Sequence, residues 1–213
     1  MSLPCRDPHE NKIITEIALE AINTKWCREI LVSDYEESVK KLSFIEKHFK
    51  EEKTFKSDKG IGKPIAETSF GAKLYKVDGI EAKELLSNIK SAFKDKALIF
   101  DFWATWCIPC LGDIPYSKKL HDELKNEPIE FIYLCTSSGS DLETWKTKIT
   151  ELKIGGTHLF VESSIESELM SLFSFTGFPS YAFFDINGKY KAGSIHRMRF
   201  LDKEKVKKLI KGK

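Results

Sequence analysis

Two cysteines, Cys107 and Cys110, form the only Cys-x-x-Cys in this 213-residue sequence. Such a pair can exchange electrons as a dithiol and a disulfide, close a structural disulfide, or supply half of a zinc site. A zinc site would need a second ligand pair, and the five histidines (His9, His48, His121, His158, His196) are scattered without paired spacing. Cys110 is followed by Leu111 rather than His, which excludes c-type haem attachment. The other cysteines are Cys5, Cys27 and Cys135, so the total is odd and too sparse for a disulfide framework. Redox exchange at Cys107 and Cys110 is the expected chemistry, with no metal and no cofactor.

The flanking sequence positions these sulfurs. Residues 97–103, Ala-Leu-Ile-Phe-Asp-Phe-Trp, are an apolar run with one acid, as expected of a strand buried on both faces. A helix is predicted over about 108–126. Cys107 then lies at a helix N-terminus, where unpaired N–H groups and the helix dipole favour a thiolate. Cys110 falls in the first turn, within reach of Cys107, and Pro109 is tolerated there because first-turn N–H groups have no helical partner. Ile108 brings no charge. Asp101 sits inside the apolar run, either as a buried acid or as a strand-end acid at the surface.

Other elements follow the same reasoning. Residues 9–31 and a second segment starting at Ser33, with Glu36 as its capping-box partner, are predicted to form a helical hairpin. One stripe holds Ile13, Ile17 and Ala21, an adjacent one Ile14, Ala18, Ile22, Trp26 and Ile30, and the second helix buries Tyr35, Val39, Leu42, Ile45 and Phe49. Such a hairpin is too small for a stable core alone. Residues 56–64 are predicted as a linker by their Gly, Pro and Lys content, dividing the chain into residues 1–58 and 59–213. Residues 65–80 show turn signals at Gly71 and Asp78-Gly79 and little pattern. Helices are predicted at about 81–94, 141–152, 164–175 and 201–211, and strands at 129–135, 157–161 and 181–185. Asn187-Gly188 predicts a type I′ turn leading to a return strand over 189–195. The fold class is α/β, a mixed sheet with helices on both faces.

Charge narrows the function further. Lysines and arginines number 34 and acids 32, a formal net charge of +2, so no single-sign field marks a nucleic-acid or anionic-membrane binder. No apolar run reaches the ~18 residues of a membrane span. The N-terminal residues show no apolar region or cleavage site of a signal peptide. A cytosolic protein and a processed chain both fit this.

Asp101-Phe102-Trp103-Ala104-Thr105-Trp106-Cys107-Ile108-Pro109-Cys110 resembles the active-site segment of thioredoxins, and more closely that of the TlpA/ResA-like thiol–disulfide oxidoreductases. Asp113-Ile114-Pro115 resembles their acid-x-Pro step. Gly177-Phe178-Pro179-Ser180 resembles the loop carrying the family's cis-proline, and Phe183 to Lys189 the hairpin after it. The resemblance spans about residues 60–213 and leaves the helical hairpin outside. It implies a thioredoxin-like fold with an N-terminal helical extension, and a cell-envelope location facing the periplasm, with the cytoplasm as the alternative. It implies Cys107, Cys110 and Asp101 as catalytic residues, with Asp101 exchanging a proton with Cys110. It implies a substrate lip of Trp106, Ile108, Pro109, Phe178 and a cis Pro179, with Trp103 either flanking the site or plain core. The partners implied are disulfide-containing proteins and a thiol electron donor.

Leu111 stands where many relatives carry Arg or Lys, Phe178 where they have a smaller residue, and Ser180 where Thr is common. Cys135 is expected to be an inert core thiol. Cys5 and Cys27 could pair in an exported protein. Two functions compete: a disulfide reductase, and a thioredoxin-like binding or assembly module whose role is set by the N-terminal helices. A peroxiredoxin-type peroxidase lacks the expected upstream Thr, since Thr105 is too close to Cys107.

Overall fold

The structure is a computed structural model and describes residues 8–48 and 60–212, with side chains of the first segment described only for 12–40 and 43. The chain divides into two compact units, residues 1–49 and 50–213.

In the first unit, α1 (Pro8–Ala21) and α2 (Lys25–His48) are separated by Ile22-Asn23-Thr24. The break lies about ten residues before the position predicted at Ser33. Asn and Thr are weak helix formers that favour caps, and the Thr24 carbonyl accepts the Arg28 N–H at 3.2 Å as the new helix begins. Ser33 is therefore inside α2 and there is no capping box with Glu36. The break also shifts the helical phase. Ile14, Ala18 and Ile22 are partly buried, whereas Trp26 and Ile30, predicted on the same stripe, are exposed, as are Ile13, Ile17 and Val39. The predicted contacts of Leu42, Ile45 and Phe49 lie outside the described side chains, as does Cys5; Cys27 is a free thiol.

The second unit is a six-stranded mixed sheet in the order β1-β2-β5-β4-β3-β6. Its strands are β1 (Lys63–Glu67), β2 (Ala72–Val77), β3 (Ala97–Trp103), β4 (Ile129–Thr136), β5 (Gly156–Val161) and β6 (Ser180–Phe184). The four inner strands run parallel, and β1 and β6 close the edges antiparallel. Helices α3 (Ala82–Ala92), α4 (Ile108–Leu124), α5 (Leu142–Leu152), α6 (Ser163–Leu172) and α7 (Lys203–Ile210) connect or cover them. This is the thioredoxin-like arrangement. All seven residues of β3 are buried, as expected for a strand covered on both faces. Leu98, Phe100 and Phe102 join α3 and α6 residues in one core cluster; Asp101 falls on the opposite face, under α4.

Three expectations are corrected. Residues 63–77 form the β1–β2 hairpin, which lysines at 63, 73 and 76 and Pro64 conceal from a hydrophobic pattern. The predicted linker ends earlier: Ile61 is fully buried, and a Cβ on Gly62 would lie 2.7 Å from the Lys76 carbonyl oxygen, so this glycine serves close strand approach. The return strand at 189–195 reduces to a single bridge between Phe184 and Tyr190. Its turn is not type I′, because only Gly188 has positive φ. Asp185 Oδ1 instead accepts the N–H groups of Asn187 and Lys189, both at 3.0 Å, and its carbonyl accepts the Gly188 N–H at 2.8 Å, so Asp185 organises the turn.

Candidate active site

Cys107 and Cys110 form a disulfide, with Cα atoms 5.2 Å apart. Cys107 is the N-cap of α4 in extended backbone geometry, and Pro109 occupies the first turn. The Cys110 N–H donates to the Cys107 sulfur at 3.2 Å. One of the unpaired N–H groups of the helix start is thus aimed at the sulfur where negative charge would develop. Both residues are buried in this state, whereas Ile108 between them is 81% exposed.

Loops far apart in sequence hold the turn before Cys107. The Thr105 N–H and hydroxyl both contact the Ser140 hydroxyl, at 3.2 and 3.1 Å. The Trp106 indole N–H donates to the Ser138 carbonyl oxygen at 2.9 Å. Trp106 stays half exposed and meets Phe178 edge to face at 5.9 Å between ring centroids. The Phe178–Pro179 peptide bond is cis, and the Ser180 hydroxyl donates to the Gly177 carbonyl oxygen at 2.6 Å across that loop. Trp106, Ile108, Pro109 and the partly buried Phe178 and Pro179 are all at least partly open to solvent. Trp103 is fully buried and belongs to the core.

A row of polar residues crosses the sheet beneath α4. Register places Tyr181 of β6 opposite Asp101 of β3, Asp101 opposite Tyr133 of β4, and Tyr133 opposite His158 of β5. All four are buried. Helix α4 answers from above: Ser117 and Tyr133 hydroxyls meet at 3.0 Å, and the Tyr181 hydroxyl donates to Asp113 Oδ2 at 2.9 Å. Burial, with a smaller push from the nearby Asp113 charge, raises the Asp101 carboxyl to about 8. Burial also raises both tyrosine hydroxyls and drives His158 down to about 3. The His158 Nε2–H is shared by the Ile154 and Gly155 carbonyl oxygens at 3.0 and 3.2 Å, and its ring stacks on Tyr133.

In the sequence Asp113 stands out only as part of a motif. In the structure it is fully buried and accepts from Tyr181, from the Met198 N–H at 3.2 Å and from Arg199 of the Met198–Phe200 3-10 turn. Its partners are far along the chain, so only the buried acid itself could have been suspected. The roles of Ser138, Ser140, Tyr133 and His158 had no signal in the sequence. Cys135 is fully buried with its thiol pushed up to about 12, which suits an inert core residue. Among the described residues no cluster of three His, Cys, Asp or Glu could hold a metal ion, and no helix is long and apolar enough to cross a membrane.

The sequence profile of the Redoxin family matches residues 80–209. The thiol-disulfide oxidoreductase ResA of Bacillus thuringiensis is 40% identical over 42 residues, which are 20% of this chain and 24% of the relative. That of Oceanobacillus iheyensis is 38% identical over 42 residues, 20% of this chain and 22% of the relative. The matched segment thus spans about a quarter of the length of these relatives. Among solved structures, the thioredoxin domain of a thiol-disulfide oxidoreductase from Bacteroides vulgatus aligns with 57% of this chain and 81% of its own, at 22% identity and a TM-score of 0.47. A thioredoxin family thiol:disulfide interchange protein from Chlorobium tepidum aligns with 58% of this chain and 83% of its own, at 21% identity and a TM-score of 0.45.

Proposed function

The chain belongs to the Redoxin family, and from that premise we propose that it is a thiol–disulfide oxidoreductase acting as a reductase of protein disulfides. The observation that carries the reading is the Cys107–Cys110 disulfide at the start of α4, with the Cys110 N–H on the Cys107 sulfur. In the reduced protein that N–H and the helix dipole favour a Cys107 thiolate.

The Cys107 thiolate attacks one sulfur of a substrate disulfide. The substrate S–S bond breaks, one substrate sulfur leaves as thiolate, and a mixed disulfide joins Cys107 to the other. The Cys110 thiol gives up its proton and attacks the Cys107 sulfur, releasing the second substrate thiolate. The substrate gains two electrons and the protein becomes the disulfide form. A thiol donor reverses the change by attack on the Cys107 sulfur. Trp106, Ile108, Pro109, Phe178 and Pro179 form an apolar lip for the substrate, and the Phe178 backbone pairs with an extended substrate segment. Asp101 exchanges the proton with Cys110. A cell-envelope setting fits the resemblance to ResA.

The reduction potential of the Cys107–Cys110 couple tests the direction. A value near about −270 mV, with turnover of a disulfide peptide under a thiol donor, supports a reductase. A value near about −120 mV would make the protein an oxidant, and absence of turnover would favour an assembly role.

A further inference from the structure

Two buried carboxyls lie beneath or on α4, and their surroundings differ. Asp113 has its charge matched: Oδ1 pairs with Arg199 Nε, Oδ2 accepts from the Tyr181 hydroxyl and the Met198 N–H, and Arg197 Nη1 stands 3.8 Å away. Among the described residues Asp101 Oδ2 has no hydrogen-bond partner. Every other titratable group around Asp101 favours its neutral form. Tyr133 from β4 and Tyr181 from β6 are raised by burial, and His158 of β5, one strand further, is lowered to about 3. On α4 the buried groups are Asp113 and the disulfide-bonded Cys110, while the less buried His121 and Asp122 act on His158 and Tyr133 further along the row. Arg197 and Arg199 on the C-terminal segment bring positive charge to Asp113.

We propose that Arg199 is a positioning residue of the disulfide chemistry: it pairs with Asp113 and so leaves the unpaired Asp101 as the carboxyl that carries the exchangeable proton. This rests on the redox reading of Cys107 and Cys110. When a donor thiolate attacks the Cys107 sulfur, the Cys107–Cys110 bond breaks and its electron pair leaves on the Cys110 sulfur. That thiolate takes a proton from Asp101, which becomes a carboxylate; in the opposite direction Asp101 takes the proton back. Without Arg199, Asp113 would keep only Arg197 at 3.8 Å and its bonds from Tyr181 and Met198, and the two carboxyls would compete for one proton, because two poorly compensated charges are costly in a buried site. The proton would then be divided between a productive and an unproductive position.

The test follows the aspartate carboxyl carbons by NMR across pH in the oxidised full-length protein. In the wild type the titration near pH 8 should belong to Asp101 alone. In Arg199→Gln it should be divided between Asp101 and Asp113, and Arg199→Lys should restore the wild-type pattern. Stopped-flow rates should agree: Asp101→Asn should slow the resolving step about tenfold in the wild type, but no more than about threefold beside Arg199→Gln. If Arg199→Gln does not fold, Asp113→Asn serves instead, since removing the anion must lower the Asp101 midpoint. The proposal is overturned if the high titration stays wholly on Asp101 in Arg199→Gln, sits on Asp113 in the wild type, or does not move in Asp113→Asn. The predicted titrations in a protein without thiol exchange would overturn the redox reading, while the charge assignment would stand.

Discussion

The backbone N–H of Cys110 donates to the sulfur of Cys107 at 3.2 Å within the disulfide that joins them. The two sulfurs are therefore not equivalent once the disulfide opens. Cys107 caps the helix, whereas Cys110 is buried inside its first turn.

This asymmetry predicts the order of reaction. Reduced protein should be alkylated first at Cys107, because the thiolate is the reactive form and the helix start favours it there. Cys110→Ser should accumulate mixed disulfides with substrate, since the thiol that releases them is gone. Mass spectrometry of labelled peptides reads both effects. Labelling of Cys110 ahead of Cys107 would reverse the roles.

The buried row predicts how stability follows pH. The Asp101 carboxyl is raised from 3.8 to about 8, so between those values the folded protein holds a proton that the unfolded chain has lost. Stability from this group is present at low pH and falls as pH rises, by up to about 1.4 kcal/mol per unit, then levels above about 8. His158 is lowered from 6.5 to about 3, which has the opposite sign: its contribution is present above 6.5 and is lost as pH falls. The two oppose each other from about 4 to 6.5, which leaves a net loss between about 6.5 and 8. Asp101→Asn should abolish that upper loss and expose a rise with pH below 6.5. Denaturant melts of both proteins from pH 4 to 9 measure it; parallel curves would mean that Asp101 does not titrate as a buried acid.

The proposed substrate lip depends on Gly139. Its φ is +68°, and a Cβ there would sit 2.8 Å from the Trp106 indole nitrogen. Gly139→Ala should cost about 1 kcal/mol through backbone strain and push the indole off the Ser138 carbonyl. The KM for a disulfide peptide should rise several-fold with a smaller change in kcat. An unchanged KM with a displaced indole would remove Trp106 from the substrate surface.

The sequence alone determined the parts of this protein that depend on neighbours along the chain. An apolar run followed by Cys-Ile-Pro-Cys and a helical segment places a cysteine sulfur at a strand-to-helix junction, because strand burial, proline at a first turn and helix capping are local rules. Most helices and inner strands were legible for the same reason. The tertiary structure decided the rest. Strand pairing, which depends on the whole sheet, revealed the lysine-rich β1–β2 hairpin and removed the return strand that Asn187-Gly188 suggested. The same pairing assembled Tyr181, Asp101, Tyr133 and His158 from four strands into one buried row. A contact across 86 residues gave Asp113 its arginine. Whether a carboxyl holds a proton depends on the water, donors and charges within a few ångströms of it, and folding brings those to Asp101 and Asp113 from distant parts of the chain.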